Sequence, residues 1–533
     1  MAKAMQRDEE TGPLVTPNLN DSRIGDFFRD RAVFITGGTG FVGKALVEKL
    51  LRSCSELKEI YLLLRPKNGQ NVRQRLDDLV TCQVFDRIRR ESPSSLNKII
   101  PVSGDITEAE LGINANDQKL LMKSISLVFH CAATVRFDEP FRQYVNINVL
   151  ACRRLLELCK KMEHLEVLVH TSTAYSHCNR KVIDEVVYPE AVPYQKIIDA
   201  TQWMNDDLLS TISPHLEDGR PCSYHYTKSL AENLLVQECG NIPLAIVRPS
   251  IVTAAWQEPI PGWVDNLNGP SGFIVATGKG VLRTMTANRN IGADVVPVDT
   301  VVNMLIAVAW NTAIKKPNNI MVYNCTTGSI VKVTWGQIEK LAYPFVVKHP
   351  SMQVFRYPGG SFKHYWWLNS ICEMVEHNIP AYFVDFLARL TGYKPGLVAL
   401  YKKLHRAVHI LEYFTTNEWT FHCNNVLMLL DQLEGKDKET FSFDVRPIKW
   451  APYMENYVLG VRKFILKEDE STLPAARRKL QRLYYYGQLT RLALILGFIR
   501  LLIFRSERAR KLWWSLLSYS MTIIQRIPQQ LTS

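Results

Sequence analysis

The chain has 533 residues, 47% of them hydrophobic and 22% charged, which excludes a disordered chain and leaves room for two or three domains. A formal net charge of +12 implies anionic partners, whether nucleic acid, an acidic cofactor, coenzyme A or a membrane surface, without choosing among them. The 11 scattered cysteines contain no C-x-x-C pair and argue against a disulfide framework or a zinc site; the first residues, MAKAMQRDEETGPLVTPNLND, hold no apolar run of signal-peptide length, so a reducing cytosol is expected.

The first predicted element is Ala32 to Thr36, too short and too apolar for anything but a buried parallel strand. It runs into Gly37, Gly40 and Gly43, a T-G-x-x-G-x-x-G pattern, and then into a helix that continues through Leu46, Val47 and Leu50. Such a turn puts bare N–H groups at a helix N-terminus, where a pyrophosphate fits; its plainer reading is a tight turn with no ligand. Further strands are expected at Ile60–Leu64, Ile99–Val102, Leu127–Cys131, Val167–Thr171 and Leu244–Val247, with helices between them, most plainly at Phe141–Lys161 and Tyr226–Glu238. The alternation predicts an α/β fold, a doubly wound parallel sheet, with the glycine turn after its first strand.

The second strand ends in Arg65, with Lys67 close behind. NAD-specific sites place an acid there, and a cation suits a 2′-phosphate instead, so NADPH is the expected cofactor, against a solvated cationic loop as the alternative. The strand Val167–Thr171 leads into Ser172 and Thr173, hydroxyls at the sheet edge where α/β folds bind ligands. Tyr224 and Lys228 follow at Y-x-x-x-K spacing, on one helix face, where the ammonium is expected to lower the pKa of the phenol.

From about Phe273 the character changes, and Lys363 to Leu466 reads as mostly helical and aromatic, with YPGG (Tyr357–Gly360) as the turn between domains. Lys467 to Arg482 reads as a polar linker. The expected division is an N-terminal arm at 1–28, a cofactor-binding domain at 29–335, a helical domain at 360–466 and a hydrophobic tail at 484–526. His405 and His409 stand at i, i+4 spacing but lack an H-E-x-x-H pattern, so they read as helix surface and no metal is expected. KHYWWLN (Lys363–Asn369) reads as packing aromatic, with an apolar lining for an acyl chain as the alternative.

These motifs, together with GDI at Gly104–Ile106, HCAATVRFDE, NINVLA, HTSTAY and VRPSIV at Val247–Val252, resemble the extended short-chain dehydrogenase/reductase superfamily. More closely, the chain resembles the alcohol-forming fatty acyl-CoA reductases, relatives of plant male-sterility proteins, over roughly Arg31 to Val331; GYKPGLVALYKKLHRA resembles that family's C-terminal domain. The resemblance implies an extended Rossmann domain that reduces a long-chain acyl-CoA with two NADPH, through an aldehyde, to a primary alcohol. It implies Tyr224 and Lys228 as the catalytic pair, Thr173 or its neighbour Ser172 as the catalytic hydroxyl, and Asn148 as the residue that helps order the lysine. Thr36, Gly37, Gly40, Phe41, Val42 and Gly43 would cradle the cofactor, with Arg65 at its 2′-phosphate. Asp105 and Ile106 would lie near its adenine, Ala132 and Ala133 along it, and Pro249 beside its nicotinamide. A steroid or flavonoid reductase, or a sugar-nucleotide epimerase, would share the first-domain motifs; a non-enzymatic NADPH-binding scaffold would predict a broken Tyr/Lys pair. Nucleic-acid binding finds no helix-turn-helix, zinc finger or stacking platform.

The tail from Tyr484 to Phe504 nearly reaches the ~20 apolar residues of a span, but Arg491 and Arg500 interrupt it on opposite faces. With Trp513, Trp514 and Tyr519 beyond and arginines and lysines flanking, it reads as a shallow or tilted membrane anchor, with amphipathic helices docked on the protein as the alternative. The catalytic part is then expected to face the cytosol from the endoplasmic reticulum or the peroxisome.

Overall fold

Seven short apolar runs pair into one all-parallel sheet: β1 (Ala32–Thr36), β2 (Glu59–Leu64), β3 (Ile99–Ser103), β4 (Ile125–His130), β5 (Val167–Thr171), β6 (Leu244–Pro249) and β7 (Met321–Cys325). The protein is described from a computed structural model that covers residues 22–66, 69–137 and 139–530, without the side chains of 502, 504, 509 and 523–530. Residues 1–21 of the expected arm, Lys67, and the side chains at 523 and 524 of the tail lie outside the described residues. The strand order is β7-β6-β5-β4-β1-β2-β3, so the direction of winding reverses between β1 and β4 and opens a crevice there. β1 and β6 are buried along their whole length, as strands covered on both faces must be.

The six expected strands are all present; β7 is a seventh, which the sequence reading passed over because Met321 to Cys325 follows the point where the alternation fades. One face of the sheet is covered by α1 (Phe41–Ser53), and the other by α2 (Ser223–Glu238) packed on the helical run from Phe141 to Cys159. α3 (Val298–Lys315) is buried nearly throughout and packs against both α1 and the strands. The layers are those of an extended Rossmann domain, and the chain beyond is mostly helical.

The expected turn between domains is itself woven into the fold. Ser361–Lys363 pairs in parallel with Thr284–Thr286, and Thr420–Phe421 pairs with Val182–Ile183, so the helical region is laced to the sheet domain. That region contains α4 (Trp366–Glu373), α5 (Ile379–Leu390) and α6 (Leu397–Thr416). The expected polar linker is helical instead. α7 (Leu473–Arg505) begins with Pro474 in its first turn, where a missing N–H costs nothing, and seats Ala476 and Leu480 in the core. A bend at Ser506 leads to α8 (Glu507–Gln530). Among the described residues no helix is long and apolar enough to cross a membrane.

Candidate active site

The crevice beside β1 is built by glycine. Gly37 has φ +78°, a conformation that L side chains rarely adopt, and a Cβ there would stand 2.6 Å from the backbone nitrogen of Ala132. A Cβ on Gly43 would lie 2.2 Å from the Gly37 carbonyl oxygen, so the turn closes only because both are glycine. The Gly40 N–H donates to the Gly37 carbonyl at 2.9 Å, and α1 starts with no side-chain cap. The N–H groups of Phe41, Val42 and Gly43 then lack intrahelical acceptors and face outward with the positive end of the helix dipole. Phe41 packs its ring 5.1 Å from Trp263 and holds this start in place.

Across the crevice, Arg65 ends β2 with its side chain 56% exposed and one nitrogen 3.4 Å from Asp105. Asp105 accepts from the N–H and hydroxyl of Thr107, and these bonds together with Arg65 hold its carboxyl below the usual range against the opposing effect of burial. Ile106 turns its carbonyl to Arg154 at 2.9 Å, and Ala132 and Ala133 follow β4 beneath Gly37. A helix start over a glycine-lined floor, with a cation and a carboxylate beside it, fits a nicotinamide dinucleotide.

At the same sheet edge, α2 brings the expected catalytic pair to the ends of β5 and β6. Lys228 is buried and donates to the Thr171 carbonyl at 2.8 Å; burial lowers its pKa. Burial pushes the Tyr224 phenol well above its ordinary value, and the facing Thr173 hydroxyl partly offsets this through a hydrogen bond. Desolvation is the largest influence on the phenol and favours its protonated form. Thr173 also bonds the Pro249 carbonyl, at 3.5 Å, which joins the catalytic edge to the end of β6.

Ser172 points elsewhere. Its hydroxyl donates to Glu232, a fully buried carboxylate that also pairs with the fully buried Arg248 and accepts from His177. Of the two adjacent hydroxyls, Thr173 is the one that faces the phenol. Sequence reading missed this network; the available signal was Glu232 standing four residues beyond Lys228 on the same helix face, with an arginine in VRPSIV. The network ties α2 to β5 and β6 and thereby sets the height of Tyr224 and Lys228.

Asn148 is buried in the helical run that packs on α2. It lies in a single wide helical turn, Val145–Leu150, of the kind that interrupts helices at functional sites, and its side chain accepts from the Thr134 N–H at 3.2 Å and donates to Thr227 at 3.0 Å. It thus braces the residue next to Lys228 and the loop after β4, with no bond to the lysine among the described residues.

Behind Lys228, register places His130 of β4 opposite both Thr36 and His170. His130 bonds Thr36 at 2.6 Å, and its other ring nitrogen meets Cys152 at 3.3 Å. His130, Cys152 and His170 form the one group of metal-ligating type found among the described residues, all buried. Burial and the Lys228 charge hold the His130 pKa down to about 3, and the same charge would repel a metal ion. His405 does not converge with His409: it pairs with His377 at 3.0 Å, while His409 sits in solvent beside Glu412. The nearby thiols stay protonated, because burial pushes Cys131 up to about 11 and Cys152 and Cys222 up to about 12.

The male sterility protein family profile matches residues 35–305, and a second male sterility profile matches 376–468. Over 503 residues the chain is 45% identical to fatty acyl-CoA reductase 1 of Rattus norvegicus and of Homo sapiens, covering 93% of this chain and 96% of each relative. It is 43% identical over 509 residues to fatty acyl-CoA reductase 2 of Mus musculus, covering 94% and 98%. Among solved structures, the reductase domain of a nonribosomal peptide synthetase from Mycobacterium tuberculosis superposes with a TM-score of 0.57 at 17% identity, over 82% of this chain and 92% of that one. The terminal reductase domain of the myxalamid pathway gives 0.54 at 18% identity, over 83% and 93%. At such identities these two report the fold alone.

Proposed function

This chain belongs to the fatty acyl-CoA reductase family, and from that premise we propose that it reduces a long-chain acyl-CoA in two steps to a primary alcohol with NADPH. The observation that carries the reading is the meeting of Tyr224, Thr173 and Lys228 beside a glycine cradle whose neighbouring strand ends in an exposed arginine. Bound at that cradle, the nicotinamide supplies hydride. In the first reduction the thioester carbon gains that hydride, its C–S bond breaks, and coenzyme A leaves as a thiol after taking a proton. In the second, the aldehyde carbon gains a hydride and its oxygen a proton, so the sum is acyl-CoA, two NADPH and two protons to alcohol, coenzyme A and two NADP⁺.

The residues suit both steps. Negative charge develops on the carbonyl oxygen each time, and two hydroxyls facing one another, Thr173 and Tyr224, are arranged to hold it. A phenol kept protonated by burial is a proton donor at neutral pH, and Lys228, anchored on Thr171, stands one turn away to stabilise the phenolate that results. A covalent thioester on the protein finds no support, since the nearby thiols are held neutral. Arg65 supports the choice of NADPH over NADH, because its planar donors match a phosphate.

The tail supports membrane attachment, with the catalytic part facing the cytosol from the endoplasmic reticulum or the peroxisome. Tyr486, Leu489, Leu492 and Phe498 are exposed on α7, while Arg491 acts electrostatically on Glu376 and Arg283 of the protein rather than standing alone in an apolar phase. The test of the reaction is to incubate the purified chain with a panel of acyl-CoAs and either NADPH or NADH and to analyse the lipids. A primary alcohol with NADPH supports the reading, and release of aldehyde alone or equal use of NADH refutes the corresponding part.

A further inference from the structure

Helices α4 and α5 and the turn that joins them direct most of their large apolar side chains outward. Their buried positions carry Asn369, His377, Ala381 and Asp385, while Trp366 is 72% exposed, Phe383 61% and, just past α5, Tyr393 75%. The expectation that Lys363–Asn369 would pack its aromatics is therefore corrected: its polar Asn369 is seated and its tryptophans are not. Each buried polar group is satisfied. Asn369 accepts from Thr284 at 2.6 Å, His377 accepts from the Arg283 N–H at 2.9 Å, and Asp385 accepts from the N–H groups of Gly396, Leu397 and Val398 at the start of α6. The polarity thus belongs to the fold, and the apolar face is presented by design of the hydrogen bonds beneath it. Soluble surfaces do not normally expose a patch of this kind without a partner.

We propose that this face, from Trp366 to Tyr393, inserts into the surface of an anionic lipid bilayer as a second membrane contact, separate from the C-terminal tail. Charge says which partner. Within the face the acids are engaged, Glu373 by Asn369, Glu376 by Arg356 and Asp385 by the start of α6; from Phe386 to Leu411 the chain has no Asp or Glu, and Arg389, Lys394, Lys402, Lys403 and Arg406 are exposed. Aromatics over an apolar face, rimmed by basic side chains, are what an interfacial helix needs to sink into the boundary of headgroups and acyl chains. Proximity supports it as well: Tyr484 of α7 packs its ring 5.1 Å from that of Tyr357, and Arg491 of α7 is near enough to act on Glu376 and Arg283, which lie under the face.

The placement deepens the acyl-CoA reading, on which it rests only for its purpose. α6 starts at the face and carries in its last turn Phe414, whose ring lies 5.2 Å from His225, itself 5.1 Å from Tyr224. From Leu397 to Phe414 the helix rises about 26 Å, so one rigid element connects the face to the neighbourhood of Tyr224. A shallow, mostly apolar cleft is lined by Phe273, Leu282, Met285, Tyr343 and Phe362 and does not include Tyr224. A substrate with a long chain and an alcohol product both partition into the layer that this face touches.

The test uses the full chain with vesicles of phosphatidylcholine alone or mixed with phosphatidylserine, some made with brominated acyl chains that quench buried tryptophan. Wild type is compared with a Trp366→Phe/Trp367→Phe variant and with a Phe383→Glu/Phe386→Glu variant. Expected are quenching that falls in the first variant and vesicle affinity at least about tenfold weaker in the second, greater with phosphatidylserine and reduced by salt. Quenching unchanged without the two tryptophans, or unchanged affinity in the glutamate variant, overturns the proposal. So does a lipid-free dimer that the glutamate variant converts to monomer, which would assign the face to a second copy. Turnover of acyl-CoA in detergent is expected to be the same for all three proteins, so loss of membrane contact and failure of the reductase reading are read separately.

Discussion

Tyr224→Phe removes one oxygen and leaves the ring against Phe137 and His225, so it isolates the proton donor. Alcohol formation is expected to fall by about 10²-fold or more, with NADPH affinity little changed; wild-type turnover would assign the proton to another group. Thr173 and Ser172 separate by the same logic. Thr173→Ala should lower kcat, because its hydroxyl faces the phenol, whereas Ser172→Ala should act mainly on stability, because its hydroxyl is spent on Glu232. Comparing kcat and thermal unfolding for the two variants checks this, and the opposite assignment would exchange their roles. At the cofactor's other end, Arg65→Asp is expected to weaken NADPH far more than NADH, since an acid beside Asp105 repels a phosphate and accepts from a ribose. Unchanged relative affinities would put the phosphate on a different cation.

At the scale of the element, the start of α1 and the anchoring of α2 are the two devices that matter. Gly43→Ala forces a methyl group to within 2.2 Å of the Gly37 carbonyl, so either the turn opens or the helix start shifts. NADPH affinity measured by titration should drop at least about tenfold, because the pyrophosphate depends on that backbone. α2 is held by Glu232, whose carboxyl is kept far below its ordinary range by Arg248 against the burial that would raise it. Glu232→Gln leaves a buried guanidinium uncompensated, and a loss of about 3 kcal/mol is expected in chemical unfolding. Retention of full stability would mean that Arg248 finds another partner.

Over the whole molecule, several buried histidines bind the pH response to the fold. Burial holds His130 and His225 at about 3, while the same side chains titrate near 6.5 once unfolded. Depressed native values mean that the unfolded chain takes up protons first as the pH falls, so stability is full above about 6.5 and is lost progressively down to about 3. Each histidine then contributes roughly 2 kcal/mol of loss by about pH 5. Unfolding midpoints measured at neutral pH and near pH 5 should show the decline, and His225→Phe should reduce it. An unchanged slope in that variant would place the response in other groups. The C-terminal anchor is also a property of the whole chain. Because Ala476 and Leu480 belong to the core, removal of everything after Arg482 keeps the docked turns of α7 and takes away only the exposed length. Cell fractionation of that truncation should release at least part of the protein from membranes, with the face at Trp366 to Tyr393 holding the rest; equal solubility of full-length and truncated chains without detergent would refute attachment.

Sequence alone was enough for the sheet and its ligand edge, because those features are local. An apolar run of five residues that must be buried on both faces, glycines spaced for a turn, and a Tyr and a Lys one helical turn apart are each written within a short window. What depends on partners far along the chain was decided only by the tertiary structure. Ser172 and Thr173 are adjacent and chemically alike, and only Glu232 and Arg248 tell them apart by drawing one hydroxyl away. Tyr224 and Lys228 share a helix face by their spacing, but how far desolvation raises the phenol is set by everything packed around the ring. The aromatic stretch at Trp366 looked like core, since hydrophobic periodicity marks a face without saying what that face meets. Asn369, His377 and Asp385 found their partners on Thr284, Arg283 and the start of α6, and those contacts turned the apolar side outward.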